Sequence, residues 1–255
     1  MVRTDAYSGI LAEMVAVQGD GGDWIHAYCA RPTGPGPFPG VVLFHHLPGW
    51  DEWYLHATRL FAHHGYAAIC PDLYCRTGHG DPDDVAARVR ADGGMPDDQV
   101  VGDATGCVEF LRAQPYTTQM VGYFGTCSGG RHAYLAACRG PTVAAVVDCW
   151  GGRIVVGPDE LTVKTPVAPI DYTANLPCPV LGLFGSEDQN PTPAQVDTLE
   201  AALREHGKDY EFHRYEGAGH GFLYHDKPAS YRAEAAVDAW PKVWDFLART
   251  LRGER

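Results

Sequence analysis

Residues Val121–Tyr134 read VGYFGTCSGGRHAY. An apolar run ends in a glycine, a cysteine stands two residues on, and two more glycines precede a helical pattern. The stretch reads as strand, sharp turn and helix, with Cys127 at the turn. Gly125 and Gly129 leave room for a turn whose central side chain projects upward, the form of a nucleophile elbow. A helix N-terminus directly behind Cys127 favours the thiolate through its dipole and free amide groups. The plainer reading is a buried cysteine in a tight connection; glycines on both sides at the elbow spacing favour the nucleophile.

Outward from the elbow, apolar runs of strand length alternate with helical patterns. Ile10–Val17 and Trp24–Ala30 read as an antiparallel hairpin joined by the turn Gly19–Asp23. Gly40–Phe44, Tyr66–Cys70, Gln119–Phe124, Val143–Cys149, Val180–Phe184 and Asp209–Tyr215 read as further strands, several of them continuous apolar runs of the buried parallel kind. Helices are expected over Trp53–His64, Asp97–Ala113, Ser128–Cys138, Pro193–His206 and Lys227–Leu251, the last interrupted at Pro241. Residues 76–95 are rich in Gly, Asp and Arg and read as a surface excursion, a lid candidate with a short helix at Pro82–Arg90. The alternation implies an α/β fold: one domain over residues 1–255, with a mostly parallel central sheet, helices on both faces and an N-terminal antiparallel hairpin.

A chain of 255 residues, 45% of them hydrophobic, can bury one sizeable core. Its net charge of −12 argues against a nucleic-acid partner, because phosphate binding needs a basic surface. No run approaches ~18 consecutive apolar residues, so no membrane span is expected. The opening MVRTDAYSGILAEMV lacks a basic segment followed by an apolar one, so no secretory signal is expected either. The eight cysteines are scattered through apolar contexts with no CxxC pair, which suits small buried hydrophobes in a reducing cytoplasm. The oligomeric state, monomer or dimer, is left open.

A thiol nucleophile needs a base, and the base an orienting carboxylate. In open parallel sheets such groups collect at the carboxyl edge. VLGLFGSEDQNPTP places Asp188 in the loop after a buried strand, with Glu187 beside it and pointing elsewhere. HRYEGAGHGFLY places His220 after the last strand, and of the twelve histidines only this one sits between glycines there. Nucleophile, acid and histidine thus follow the chain order of α/β-hydrolases.

Over nearly its full length the chain resembles the dienelactone hydrolase family, cysteine-dependent members of the α/β-hydrolase superfamily. The resemblance is carried by GYAAICPDLY (Gly65–Tyr74), GTCSGG (Gly125–Gly130), GSEDQNPTP (Gly185–Pro193) and GAGHGF (Gly217–Phe222). It implies an α/β-hydrolase fold and hydrolysis of a small ester or lactone through a thioester acyl-enzyme, without a cofactor. The triad would be Cys127, His220 and Asp188. The backbone N–H groups of Ser128 and Leu47 would form the oxyanion hole, worth roughly 3 kcal/mol each in comparable sites.

The same resemblance marks departures. Where the family's best-known members place a glutamate that takes the thiol proton, this chain has His46. A neutral imidazole accepts a proton too, so His46 is a proton-relay candidate, with packing behind the elbow as the alternative. Where those members hold a substrate carboxylate with arginines, one position is Tyr224, and the other falls near Arg88 and Arg90. A tyrosine gives one hydrogen bond and no ionic fork, so a less anion-selective pocket is expected. Trp50, Trp53, Tyr74, Arg88 and Tyr224 are the substrate-binding candidates.

Two other classes compete: a metal-dependent hydrolase or lyase using His45, His46, Asp51 and His56, and a catalytically silent scaffold that only binds a small molecule. His45 and His46 alternate sides at a strand end and cannot readily face one ion. No GxGxxG, Walker A or HExxH motif is present, so neither metal nor organic cofactor is expected. Activity should survive overnight dialysis against a chelator; loss on chelation with recovery on adding Zn²⁺ would favour the metal reading.

Overall fold

Strands that are apolar at nearly every position need both faces covered, and four such strands take the middle of the sheet. In the computed structural model, which describes residues 9–254, they are β3 (Phe38–Phe44), β4 (Ala67–Pro71), β6 (Ala145–Cys149) and β7 (Val180–Gly185), each buried throughout. With β1 (Ile10–Gln18), β2 (Trp24–Pro32), β5 (Thr117–Thr126) and β8 (Tyr210–Tyr215) they form one eight-stranded sheet in the order β1-β2-β4-β3-β5-β6-β7-β8. β1 and β2 pair antiparallel, β2 joins β4 antiparallel, and every pairing from β4 to β8 is parallel. This is an α/β-hydrolase fold. Residues 1–8, which open the segment read as lacking a secretory signal, lie outside the described residues. No helix among the described residues is long and apolar enough to cross a membrane.

The helices are α1 (Glu52–His63), α2 (Pro82–Ala91), α3 (Asp97–Ala113), α4 (Ser128–Arg139), α5 (Pro193–Glu205) and α6 (Ala233–Leu247). They cover both faces, as the alternation along β5 shows. Phe124 meets Phe61 of α1 at 5.0 Å and stacks on Trp240 of α6 at 5.9 Å. The opposite face receives α3, whose Leu111 lies against Gly40 and Val121. Asp51 caps α1 by accepting the Tyr54 N–H at 3.2 Å, and Thr192 with Gln195 makes a capping box on α5.

One element starts later than its sequence suggests. Residues 227–232 form turns, with Ser230 and Tyr231 donating to the Lys227 carbonyl, and α6 begins only at Ala233. Pro228 disfavours a helical conformation in the residue before it. Pro241 does not interrupt α6. The carbonyl its ring leaves without a donor belongs to Val237, which is 73% exposed. Within residues 76–95, read as a surface excursion, Val85, Ala86 and Val89 of α2 are buried.

α4 packs closely on β3. An added Cβ at Gly129 would stand 1.9 Å from the Phe44 carbonyl oxygen, and one at Gly125 would stand 2.0 Å from the Gly129 carbonyl oxygen. Gly207, by contrast, has a φ of 60° and open space around it. Gly207→Ala should therefore cost only the left-handed backbone penalty of about 1–2 kcal/mol, and Gly129→Ala at least about 3 kcal/mol. Equal losses in urea denaturation would contradict this packing.

Candidate active site

Because β3, β5, β6, β7 and β8 are parallel, their carboxyl ends lie along one edge, and the pairs Phe44–Gly125, Thr126–Cys149 and Gly185–Tyr215 set those ends side by side. Cys127 follows β5 with φ 56° and ψ −125°, a conformation that residues with side chains rarely adopt. Its N–H donates to the Cys149 carbonyl at 3.0 Å, which ties the turn to the end of β6. Thr126 anchors the turn from the other side, hydrogen-bonded through its hydroxyl to Tyr54 at 2.7 Å and Tyr224 at 2.5 Å. Cys127 and Cys75 are the two cysteines that are not buried.

Asp188 lies in the loop after β7, 1% exposed, and accepts the Asn190 N–H at 2.9 Å. His220 Nδ1–H donates to its Oδ2 at 2.9 Å. Glu187 is exposed and turned away, its N–H held by the Ala218 carbonyl at 2.9 Å. An added Cβ at Gly185 would stand 2.3 Å from that same carbonyl oxygen, so glycine is required where β7 meets the histidine loop. Burial lowers the His220 pKa, but the hydrogen bond to Asp188 and the neighbouring Cys127 thiol outweigh it and push the value up to about 10.

Ser128 opens α4, and Leu47 lies in the loop after β3. Among the described residues neither backbone N–H is given to a protein acceptor. Both line a cavity of about 380 Å³, together with Tyr74, Met95, Arg131 and His132. Tyr74 also donates its hydroxyl to the Leu47 carbonyl at 3.2 Å, steadying that loop.

The other sequence candidates fall elsewhere. His46, the relay candidate, gives its Nε2–H to Asp51 at 2.6 Å, and among the described residues it makes no hydrogen bond to Cys127. Burial keeps its pKa low despite that carboxylate. Arg88 is exposed and donates to the His79 carbonyl at 3.0 Å, outside the cavity. Tyr224 is 5% exposed behind the elbow, bonded to Thr126 and packed edge-on against Trp53 at 4.9 Å, so both rings serve as backing. Trp50 lines a separate cavity of about 210 Å³ beside Tyr74.

The proposed metal ligands are committed too. The Leu73 N–H donates to His45 Nε2 at 3.1 Å, which fixes the tautomer, so Nδ1–H donates to the His46 carbonyl at 2.9 Å. His56 packs against His225 at 5.0 Å. Among the described residues, no three His, Cys, Asp or Glu side chains gather to hold an ion.

Three groups escaped the sequence reading. Arg131 forms a buried two-pronged pair with Asp97 at 2.7 and 3.2 Å; its place one helical turn beyond Cys127 was the available signal. Asp148, fully buried in β6, accepts the Gly151 N–H at 2.7 Å beneath the elbow, and burial pushes its pKa up to about 7. Lys164 donates to the Asp92 and Gly94 carbonyls at 2.6 and 3.1 Å, tying together the segments from which Gly94 and Thr165 line the cavity.

The raised His220 pKa makes stability depend on pH. A group whose pKa rises from 6.5 to about 10 on folding contributes stability that is complete below pH 6.5 and is lost as pH climbs to about 10. The Tm of wild type minus that of His220→Gln should therefore fall steadily across this window. A difference that stays flat from pH 6 to pH 10 would refute the coupling.

Residues 25–251 match the dienelactone hydrolase family. A Methylorubrum extorquens protein with the provisional name carboxymethylenebutenolidase is 36% identical over 251 residues, covering 96% of this chain and 83% of its own. A Yersinia pestis protein with the same provisional name is 34% identical over 231 residues, covering 89% of this chain and 85% of its own. A Klebsiella pneumoniae crystal structure, provisionally named a dienelactone hydrolase, superposes with a TM-score of 0.86 at 30% identity, covering 95% of this chain and all of the other.

Proposed function

The chain belongs to the dienelactone hydrolase family, a family of lactone and carboxylic ester hydrolases, and we propose that Cys127, His220 and Asp188 carry its chemistry. The observation that supports this most is the half-exposed cysteine in strained backbone, beside a histidine whose far nitrogen is bonded to a buried carboxylate. A structural cysteine has no need of that arrangement. Cys127 passes its thiol proton to His220 as Sγ attacks the ester carbonyl, and the developing oxyanion takes hydrogen bonds from the Leu47 and Ser128 N–H groups. As the C–O bond breaks, His220 gives its proton to the leaving alkoxide, leaving a thioester. His220 then takes a proton from water as the hydroxide oxygen attacks the thioester, and the acid is released as sulfur leaves. In a lactone the alkoxide stays attached, so ring opening yields a single hydroxy acid.

Asp188 fixes the imidazole's orientation and stabilises its charged form, the task of the third member in such triads. Of the positions where the family holds a substrate carboxylate with arginine, one is Tyr224, bonded to Thr126, and Arg88 lies outside the cavity, which leaves Arg90, close enough to Tyr74 to bear on its phenol.

Replacing Cys127 by Ala should lower kcat on an aryl ester by several orders of magnitude, as expected when one member of a coupled unit is removed. Wild-type protein quenched during turnover should carry the acyl mass on the peptide containing Cys127. Retention of a tenth of wild-type kcat by Cys127→Ala, or an acyl group found elsewhere, would sink the assignment.

A further inference from the structure

The cavity beside the elbow has a chemistry that the triad does not use. Ser128 and His132 stand four residues apart on the first turns of α4, so their side chains share a face. His132 is 6% exposed, and among the described residues its Nδ1 is buried without a protein partner; the buried Ser128 hydroxyl has none either. Leaving such groups buried and unmatched costs about 1–3 kcal/mol each. Both line the cavity. Burial, with Arg131 and His45 nearby, drives the His132 pKa well down, so the ring is neutral.

The cationic groups of the same wall are already matched. Arg131 holds both Asp97 oxygens, and Arg153 pairs with Glu160 at 3.2 Å while donating to its carbonyl at 2.8 Å. Neither offers a free fork to a carboxylate. The chain's net charge of −12 works against anion approach as well.

Neither His220 nor Cys127 is part of the cavity wall, whereas both oxyanion-hole residues are. The leaving oxygen must face His220, so a chain that enters the cavity past Leu47 and Ser128 is the acyl chain. Its volume of 380 Å³ is at the small end for a small-molecule site.

We propose that this cavity is an acyl subsite for an uncharged chain bearing a hydroxyl or carbonyl oxygen, which is hydrogen-bonded by His132 and the Ser128 hydroxyl. A neutral imidazole and a hydroxyl can each donate or accept, so together they match either oxygen type. The orientation rests on the triad reading given above.

The test uses p-nitrophenyl esters whose acyl chains are matched in length and end in methyl, hydroxyl or carboxylate, at two chain lengths, with spontaneous hydrolysis subtracted. Wild type should favour hydroxyl over methyl by about tenfold in kcat/KM at one length or both, with carboxylate the poorest. His132→Phe should bring the hydroxyl-to-methyl ratio to within about twofold of one, and Ser128→Ala should reduce it part of the way. A carboxylate preference in wild type overturns the proposal. So does a ratio unchanged in both variants, even if all rates fall, since that is the signature of a purely structural role. The corresponding amides, which resist turnover, are then titrated into Cys127→Ala protein, where tighter binding of the hydroxyl amide is expected. Full ester turnover by Cys127→Ala together with that binding preference would fail the triad and leave the subsite standing. The absence of any binding preference fails the subsite.

Discussion

How closely α4 can approach β3 governs the whole active edge. Gly129 touches the Phe44 carbonyl and Gly130 crowds the Asp148 carboxylate, each at a separation no Cβ would allow. That closeness brings the first turn of α4 directly behind Cys127. The chain must then reverse within one residue, which forces Cys127 to a φ of 56°. The strain is held by bonds on both sides: to the Cys149 carbonyl from Cys127 itself, and to two buried tyrosines from Thr126. A free helix-terminal amide and a raised thiol are thus two results of one packing constraint.

Burial sorts the histidines around this edge into different kinds of work. His45 has both nitrogens spent on backbone groups, so it braces the loop that carries Leu47 against the loop that carries Leu73. His46 is pinned to Asp51, which in turn caps α1, so the start of that helix is joined to the wall behind Tyr224. His220 is the member set between a buried carboxylate and a half-exposed thiol. The difference lies in what each ring's second nitrogen meets.

Most of the fold was legible because its signals are local. Continuous apolar runs marked β3, β4, β6 and β7, and glycines flanked each loop where two backbones must touch. The strand-end positions of Cys127, Asp188 and His220 were legible for the same reason: each sits in a short motif. What sequence could not give were partnerships between distant residues. The bond of His46 to Asp51 and that of Tyr224 to Thr126 are of this kind. Arg131 and Asp97 lie on different helices, and nothing in either segment announces the other. The start of α6 was misplaced because the helical periodicity of residues 227–232 conflicts with Pro228, and the backbone constraint prevailed.

The strain at Cys127 resides in backbone, cleared by glycines and held by amide and hydroxyl bonds, and none of it depends on the atom at the end of the side chain. Serine carries the same Cβ and differs from cysteine by one atom, so the elbow would receive either at much the same conformational cost. On the proposed reading of Cys127, the architecture specifies where the nucleophile stands while leaving its element open. Sulfur or oxygen then becomes a choice made by the leaving group and the base, and a lineage can revisit that choice without having to rebuild the sheet beneath it.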